Sequence, residues 1–422
     1  MRQVNRTSIG VKTGLALLAV TLMLTGTLAS AQQESILHSF GGAGDGTIPY
    51  GGLIFDAAGN LYGTTSAGGA YGGGTVFELS PQPGGGWTEE ILRYFGSGTD
   101  AKGPRGSLIF DAAGNLYGTT LEGGAYGEGA VFELFPKPGG GWREQDKILH
   151  SFNNNGQDGY QPWAGLIFDS SGNLYGTAIE GGAHGDGVVF QLVKADGVWI
   201  EKILHNFDGR DGTTPIGGLI FDSSGNLYGT AALGGTNIYD EGAVFELERG
   251  PGGGWSERIL YSFNGPDGNP GGYYPAASLT FDTVGNLYGT TEVGGPFGEG
   301  VAFEMTPMGG GVWAENVIYN FPGGGSFNPL GGYYPSSALI FDTAGNLYGA
   351  AGQGGANHGG AVFKLVPTGD GSWSYNALYN FGESRDGTVP NGNLIFDAAG
   401  NLYGVTSMGG THDYGMVFEI TP

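Results

Sequence analysis

The pentapeptide Gly-Asn-Leu-Tyr-Gly occurs seven times, starting at Gly59, Gly114, Gly172, Gly225, Gly285, Gly345 and Gly400. The starts are 53 to 60 residues apart, a period that restricts the chain to a solenoid, a propeller or an array. Each copy carries four short segments rich in aromatic and β-branched residues and bounded by Gly, Pro, Asn or Asp, the pattern of strands. The first is LIFD-like and ends at Asp56, Asp111, Asp169, Asp222, Asp282, Asp342 and Asp397. The second is NLYGTT-like. The third is VFEL-like and contains Phe77, Phe132, Phe190, Phe245, Phe303, Phe363 and Phe418. The fourth is ILHSF-like and ends at Phe40, Phe95, Phe152, Phe207, Phe263, Phe321 and Phe381. Four strands per repeat is the blade of a β-propeller.

The ends of the repeat array decide between open and closed forms. The array begins on a fourth-type segment, Ile36 to Phe40, and finishes on a third-type segment, Val417 to Ile420. The two incomplete ends make one blade, which removes a free sheet edge. An open solenoid would need polar caps instead. The expected fold is therefore all-β, a seven-bladed β-propeller of four-stranded blades, with the N-terminal strand completing the last blade. A β-helix is the alternative, but its coils are shorter than this period. With strands lettered A to D in the order above, LIFD is expected beside the channel. The D-to-A and B-to-C loops then share one face.

Composition agrees. Of 422 residues, 90 are glycine and 20 proline, which without a repeat would read as low complexity. The aromatic share of 13% argues for a packed core. Glycine does not recur at every third position, which excludes collagen. A helical bundle is opposed by a cost of about 1 kcal/mol per interior glycine. Five glycines recur in every copy, marking turns and strand ends.

Arg2, Arg6 and Lys12 precede an apolar run from Leu15 to Ala29 and then Ala29-Ser30-Ala31, the pattern of a secretory signal peptide. Residues 1–31 are expected to be removed, leaving one propeller domain over 32–422, with no anchor after Pro422 and a secreted or periplasmic address. Cleavage takes the net charge from -24 to -27, by loss of three cations and no acid. That charge repels nucleic acid and anionic membranes. Without cysteine there is no disulfide, thiolate metal site or Cys nucleophile. A monomer is expected.

The Asp-x-x-Gly-Asn turn between strands A and B suits side-chain to backbone bonding. Its oxygens raise the possibility of Ca²⁺, but EF-hand spacing is absent, so the turn reading is favoured and no cofactor is expected. Trp87, Trp142, Trp199, Trp255, Trp313 and Trp373 recur before strand D and are expected to pack between blades. His38, His150 and His205 alternate with Arg93, Tyr261, Tyr319 and Tyr379 at one strand D position, which argues for packing and against chemistry. The loops hold the candidate ligand-binding residues. In the D-to-A loops these are Asp45, Asp158, Asp211, Asp267 and Asp386, with Trp163, Tyr274 and Tyr334. Carboxylates interleaved with aromatics suit a sugar or a cation. In the B-to-C loops Tyr126, His184 and His412 occupy a position that varies between copies, as binding surfaces do. No catalytic or metal residue is assigned.

The run GLIFDAAGNLYGTT, followed by Gly-Gly and Gly-x-VFEL, resembles the bacterial GloVer tandem repeat over essentially the whole mature chain. The resemblance implies a secreted repeat protein and no particular reaction. A non-catalytic propeller binding carbohydrate or protein on the D-to-A and B-to-C face is the favoured reading. A polysaccharide lyase or hydrolase at the channel mouth and a structural envelope or matrix protein are the alternatives.

Overall fold

The computed structural model describes residues 33–143, 146–236, 240–264, 271–322, 331–383 and 385–421. The expected signal peptide lies outside these residues, as does Asp267. The described residues form a seven-bladed β-propeller of antiparallel sheets. The first complete blade sets the pattern: Ile54–Phe55 (strand A), Leu61–Gly68 (B), Thr75–Pro81 (C) and Trp87–Tyr94 (D). The ring closes as expected, because Gln33–Ser39 pairs antiparallel with Met416–Thr421 as strand D of the last blade.

Each blade is sandwiched between two others, so its middle strands are covered on both faces and read as continuous apolar runs rather than alternating ones. The Leu-Tyr-Gly-Thr-Thr stretch of strand B is buried at all five positions, Leu61 to Thr65. Strand D, at the outer edge, alternates exposed and half-buried residues along Trp87 to Glu90. Seven apolar clusters result, each built from two neighbouring blades. The repeat tyrosine meets the strand A phenylalanine of the next blade edge-on at all seven interfaces, from Tyr62 on Phe110 round to Tyr403 on Phe55, with centroids 5.0–5.2 Å apart. The six repeat tryptophans pack against the same tyrosines, as with Trp255 on Tyr175 and Trp87 on Tyr403.

The A-to-B turns are saturated by the chain itself. Asp56 Oδ1 accepts from the backbone N–H groups of Ala58 and Asn60, and Oδ2 accepts from Asn60 Nδ2 and the Tyr62 hydroxyl, at 2.8–3.1 Å. The pattern repeats at Asp111, Asp169, Asp222, Asp282, Asp342 and Asp397. The tyrosine hydroxyl thereby joins the turn to the middle of the blade, and burial holds the phenols above their ordinary pKa.

One departure from expectation matters for the site. Strand A is split. In the first blade Gly46–Pro49 pairs with the far half of strand B, Ile54–Phe55 pairs with the near half, and residues 50 to 53 leave the ladder between them. The cause lies at the residue before the proline. Ile48, Gly103, Gln161, Thr214, Tyr274, Tyr334 and Val389 all have φ between 56° and 70°. Six are not glycine and three are β-branched, for which this conformation is a true outlier costing about 1–3 kcal/mol. Each N–H donates to a carbonyl of the preceding blade at 2.8–3.1 Å, from Ile48 to Tyr414 O round to Val389 to Gly359 O. The following proline is buried in every copy and seats against the glycine that opens strand C of that blade. A methyl group on Gly242 would stand 2.6 Å from Pro275 Cδ, at φ 104°.

Two outcomes are expected. Gly242→Ala should lower unfolding stability by about 3 kcal/mol, from backbone strain plus the proline clash. Gly252→Ala, where an added Cβ meets nothing, should change it by less than about 0.5 kcal/mol; urea titration checks both. Deleting residues 33–40 should leave Met416–Thr421 as a free edge and yield oligomers or unfolded chain, read by size-exclusion chromatography and circular dichroism.

Candidate functional site

The kink before each proline turns the residue after it towards the propeller axis. The seven residues so placed are Tyr50, Arg105, Trp163, Ile216, Ala276, Ser336 and Asn391. All seven are half-buried and line one central cavity of about 420 Å³. No two are alike. The positions just after them are small because neighbouring loops touch there: a methyl on Gly51 would stand 2.7 Å from Arg105 O. The repeat scaffold thus holds a narrow collar of small residues beneath a ring in which every blade contributes a different side chain.

Chemistry concentrates on one side of the ring. Tyr50 and Trp163 stand perpendicular at 5.8 Å between centroids. The Arg105 guanidinium lies 4.2 Å from the Trp163 ring centre and 5.3 Å from that of Tyr50, cation–π contacts with both. Arg105 Nε and Asn391 Oδ1 are buried without a hydrogen-bond partner. Glu292 also lines the cavity, and burial pushes its carboxyl up to about 7. Burial, then the charge of Glu292, raises the phenols of Tyr50 and Tyr274. Among the described lining residues Glu292 is the one carboxyl and Arg105 the one cation.

Of the residues singled out in the sequence, Trp163 and Tyr274 line this cavity. Tyr334 sits one residue before Pro335 in the strained conformation, in edge contact with Tyr333 at 5.5 Å. The described loop aspartates cap their own turns at the blade rims. Asp45 accepts from the N–H groups of Gly41 and Gly46 and lies 3.1 Å from His38 Nε2. Asp158 accepts from Asn153 N–H and lies 3.2 Å from His150 Nε2. Asp211 pairs with His205 at 2.8 Å, and Asp386 accepts from the Tyr379 hydroxyl and from Gly382 and Gly387 N–H. The strand D histidines therefore do polar work, not apolar packing alone. Tyr126 lines an outer cleft of about 630 Å³ together with Asp158 and His150. His184 and His412 are exposed on the B-to-C loops of different blades.

Arg105, Ile216, Ala276, Ser336, Asn391 and Glu292 were not singled out from the sequence. The available signal was simple. When the copies are aligned on the D-to-A proline, the next residue differs in all seven, while the prolines themselves are constant.

The sequence profile of the Gloeobacter/Verrucomicrobia repeat matches the chain in three overlapping stretches, residues 25–142, 137–331 and 241–422. No curated protein matches the chain. Among solved structures, the crystal structure of the extracellular domain of a one-component system from B. thetaiotaomicron is similar, with a TM-score of 0.53 at 11% sequence identity. The match covers 92% of this chain and 40% of that one, so this chain spans well under half the length of that relative. At that identity the likeness is one of fold. The three profile matches together span nearly the whole repeat array, and the chain belongs to the Gloeobacter/Verrucomicrobia repeat family.

Proposed function

We propose that this propeller is a non-catalytic carbohydrate-binding protein of the cell exterior or periplasm, and that the central cavity is its binding site. The observation that carries the reading is the ring of seven unlike residues on an otherwise repeating scaffold. Packing explains the constant positions; it does not require that every blade differ at the one position facing the axis. The cavity of about 420 Å³ falls within the size range of small-ligand sites. Its contents suit a sugar: Tyr50 and Trp163 offer apolar ring faces, and Arg105 Nε and Asn391 Oδ1 lack partners that hydroxyl groups can supply. A glycoside hydrolase would need two carboxyl groups about 5–9.5 Å apart, and the described lining supplies Glu292 alone. The location is supported by the charged and apolar pattern of residues 1–31, and by this chain's likeness in fold to an extracellular domain.

A glycan array probed with the full chain should return carbohydrate ligands. Trp163→Ala should weaken the best of them by roughly tenfold, the equivalent of about 1.4 kcal/mol of lost stacking and burial. His184→Ala, on an exposed loop, should leave affinity unchanged. No ligand across a broad panel, or equal binding by the Trp163 variant, would sink the reading.

The Glu292 carboxyl titrates near the pH of the experiment, and its ionised form is the stronger acceptor for a sugar hydroxyl. Affinity for a neutral glycan should therefore rise between pH 6 and pH 8. In Glu292→Gln that rise should be flat, as measured by isothermal titration calorimetry at both pH values.

A further inference from the structure

Between neighbouring blades a second repeated position brings charged groups together at some interfaces and tyrosines at others. The strand D residue two before the blade-end phenylalanine faces the loop aspartate and, from the next blade, the strand D residue four places before its own counterpart. At one interface these are His38, Asp45 and Glu89, and at another His150, Asp158 and Glu201. In the first, Nε2 of His38 lies 3.1 Å from Asp45 Oδ2 and 3.6 Å from Glu89 Oε1. In the second, Nε2 of His150 lies 3.2 Å from Asp158 Oδ2 and 3.6 Å from Glu201 Oε1. We infer that these two interblade clusters are binding sites for a first-row divalent cation of the Zn²⁺ class, each held by one imidazole nitrogen and two carboxylate oxygens.

Geometry comes first. A tetrahedral ion with bonds of about 2.1 Å holds its ligand atoms roughly 3.4 Å apart. The distances from imidazole to carboxylate bracket that value in both clusters. Three protein ligands leave a coordination position for water, and the cluster at His150 opens on the outer cleft, which gives an ion a way in. An imidazole with two carboxylates selects a transition ion over Ca²⁺, which takes six to eight oxygens.

Unmet bonding comes second. Glu89 Oε1 and Glu201 Oε1 are buried and face the carboxyls of Asp45 and Asp158 with no N–H donor in hydrogen-bond range, and the Asp158 side chain is 9% exposed. Backbone donors already orient the aspartates, as outer partners orient ligands in metal sites.

The protein's own variation comes third. At the interface between these two, the same three positions are Arg93, Asp100 and Asp146. There the guanidinium sits between the carboxylates, with Nη2 2.8 Å from Asp100 and Nε 3.2 Å from Asp146. Where the chain supplies its own cation the carboxylates are paired. At the other two interfaces an imidazole stands where the guanidinium does here.

Chelator-treated full-length protein titrated with Zn²⁺, by calorimetry and by elemental analysis after gel filtration, should bind two equivalents, one for each cluster. Glu89→Gln and Glu201→Gln should each remove one equivalent, and the double variant both. Zn²⁺ should raise the wild-type Tm and leave that of the double variant unchanged, and excess Ca²⁺ should not displace the ion. Circular dichroism establishes that each variant is folded; if one is not, the other reads its own cluster independently. Absence of micromolar Zn²⁺ binding, or undiminished binding by the folded variants, would overturn the assignment.

Discussion

The structure depends on one contact repeated seven times. A residue forced to positive φ gives its N–H to the preceding blade, and the proline after it presses into the glycine that opens that blade's strand C. This contact joins each blade to the one before it, fixes where the chain leaves the ladder, and aims the next side chain at the axis. The strain is tolerated because seven copies share a rigid ring with no disulfide to help it. A bulky or flexible residue in place of the glycine would lose the fit, and the axis would lose its shape.

Around that staple the aromatic residues divide the labour. The phenylalanine that ends strand D of one blade packs on the strand C phenylalanine of the next, as Phe40 does on Phe77, and the repeat tyrosine also reaches across to the next blade while its hydroxyl ties down the A-to-B turn. The tyrosine is thus at once apolar filler and hydrogen-bond donor, so substitution by Phe keeps the first role and loses the second. Strand D carries the electrostatics, with acids and bases facing one another between blades, largely buried. A chain with 40 acids and 16 cations needs such placement, since self-repulsion grows with net charge.

Much of this was legible in the sequence because the repeat averages over local ambiguity. A single LIFD could be a helix fragment; seven, each followed by the same turn, could not. The strand count, the closure by Gln33–Ser39 and the packing role of the tryptophans followed directly. The split of strand A did not, because Ile48, Thr214 and Val389 favour regular strand and nothing local announces their positive φ. The site was harder for the same reason. Asp211 and Asp386 drew attention as recurring acids, yet recurrence marks what the fold needs, whereas Arg105 and Asn391 matter by being unlike their counterparts.

The pairing of Gln33–Ser39 with Met416–Thr421 has a kinetic consequence. The two strands are separated by almost the full length of the chain, so their contact has the largest loop-closure entropy in the molecule. Successive blades can form as the chain emerges, each held to the last by nearby residues, but the first strand waits for its partner until Met416–Thr421 has been made. Such distant pairing places the final step of folding late and makes it slow. Until then, the earliest-made strand of the propeller is the one segment whose neighbour does not yet exist.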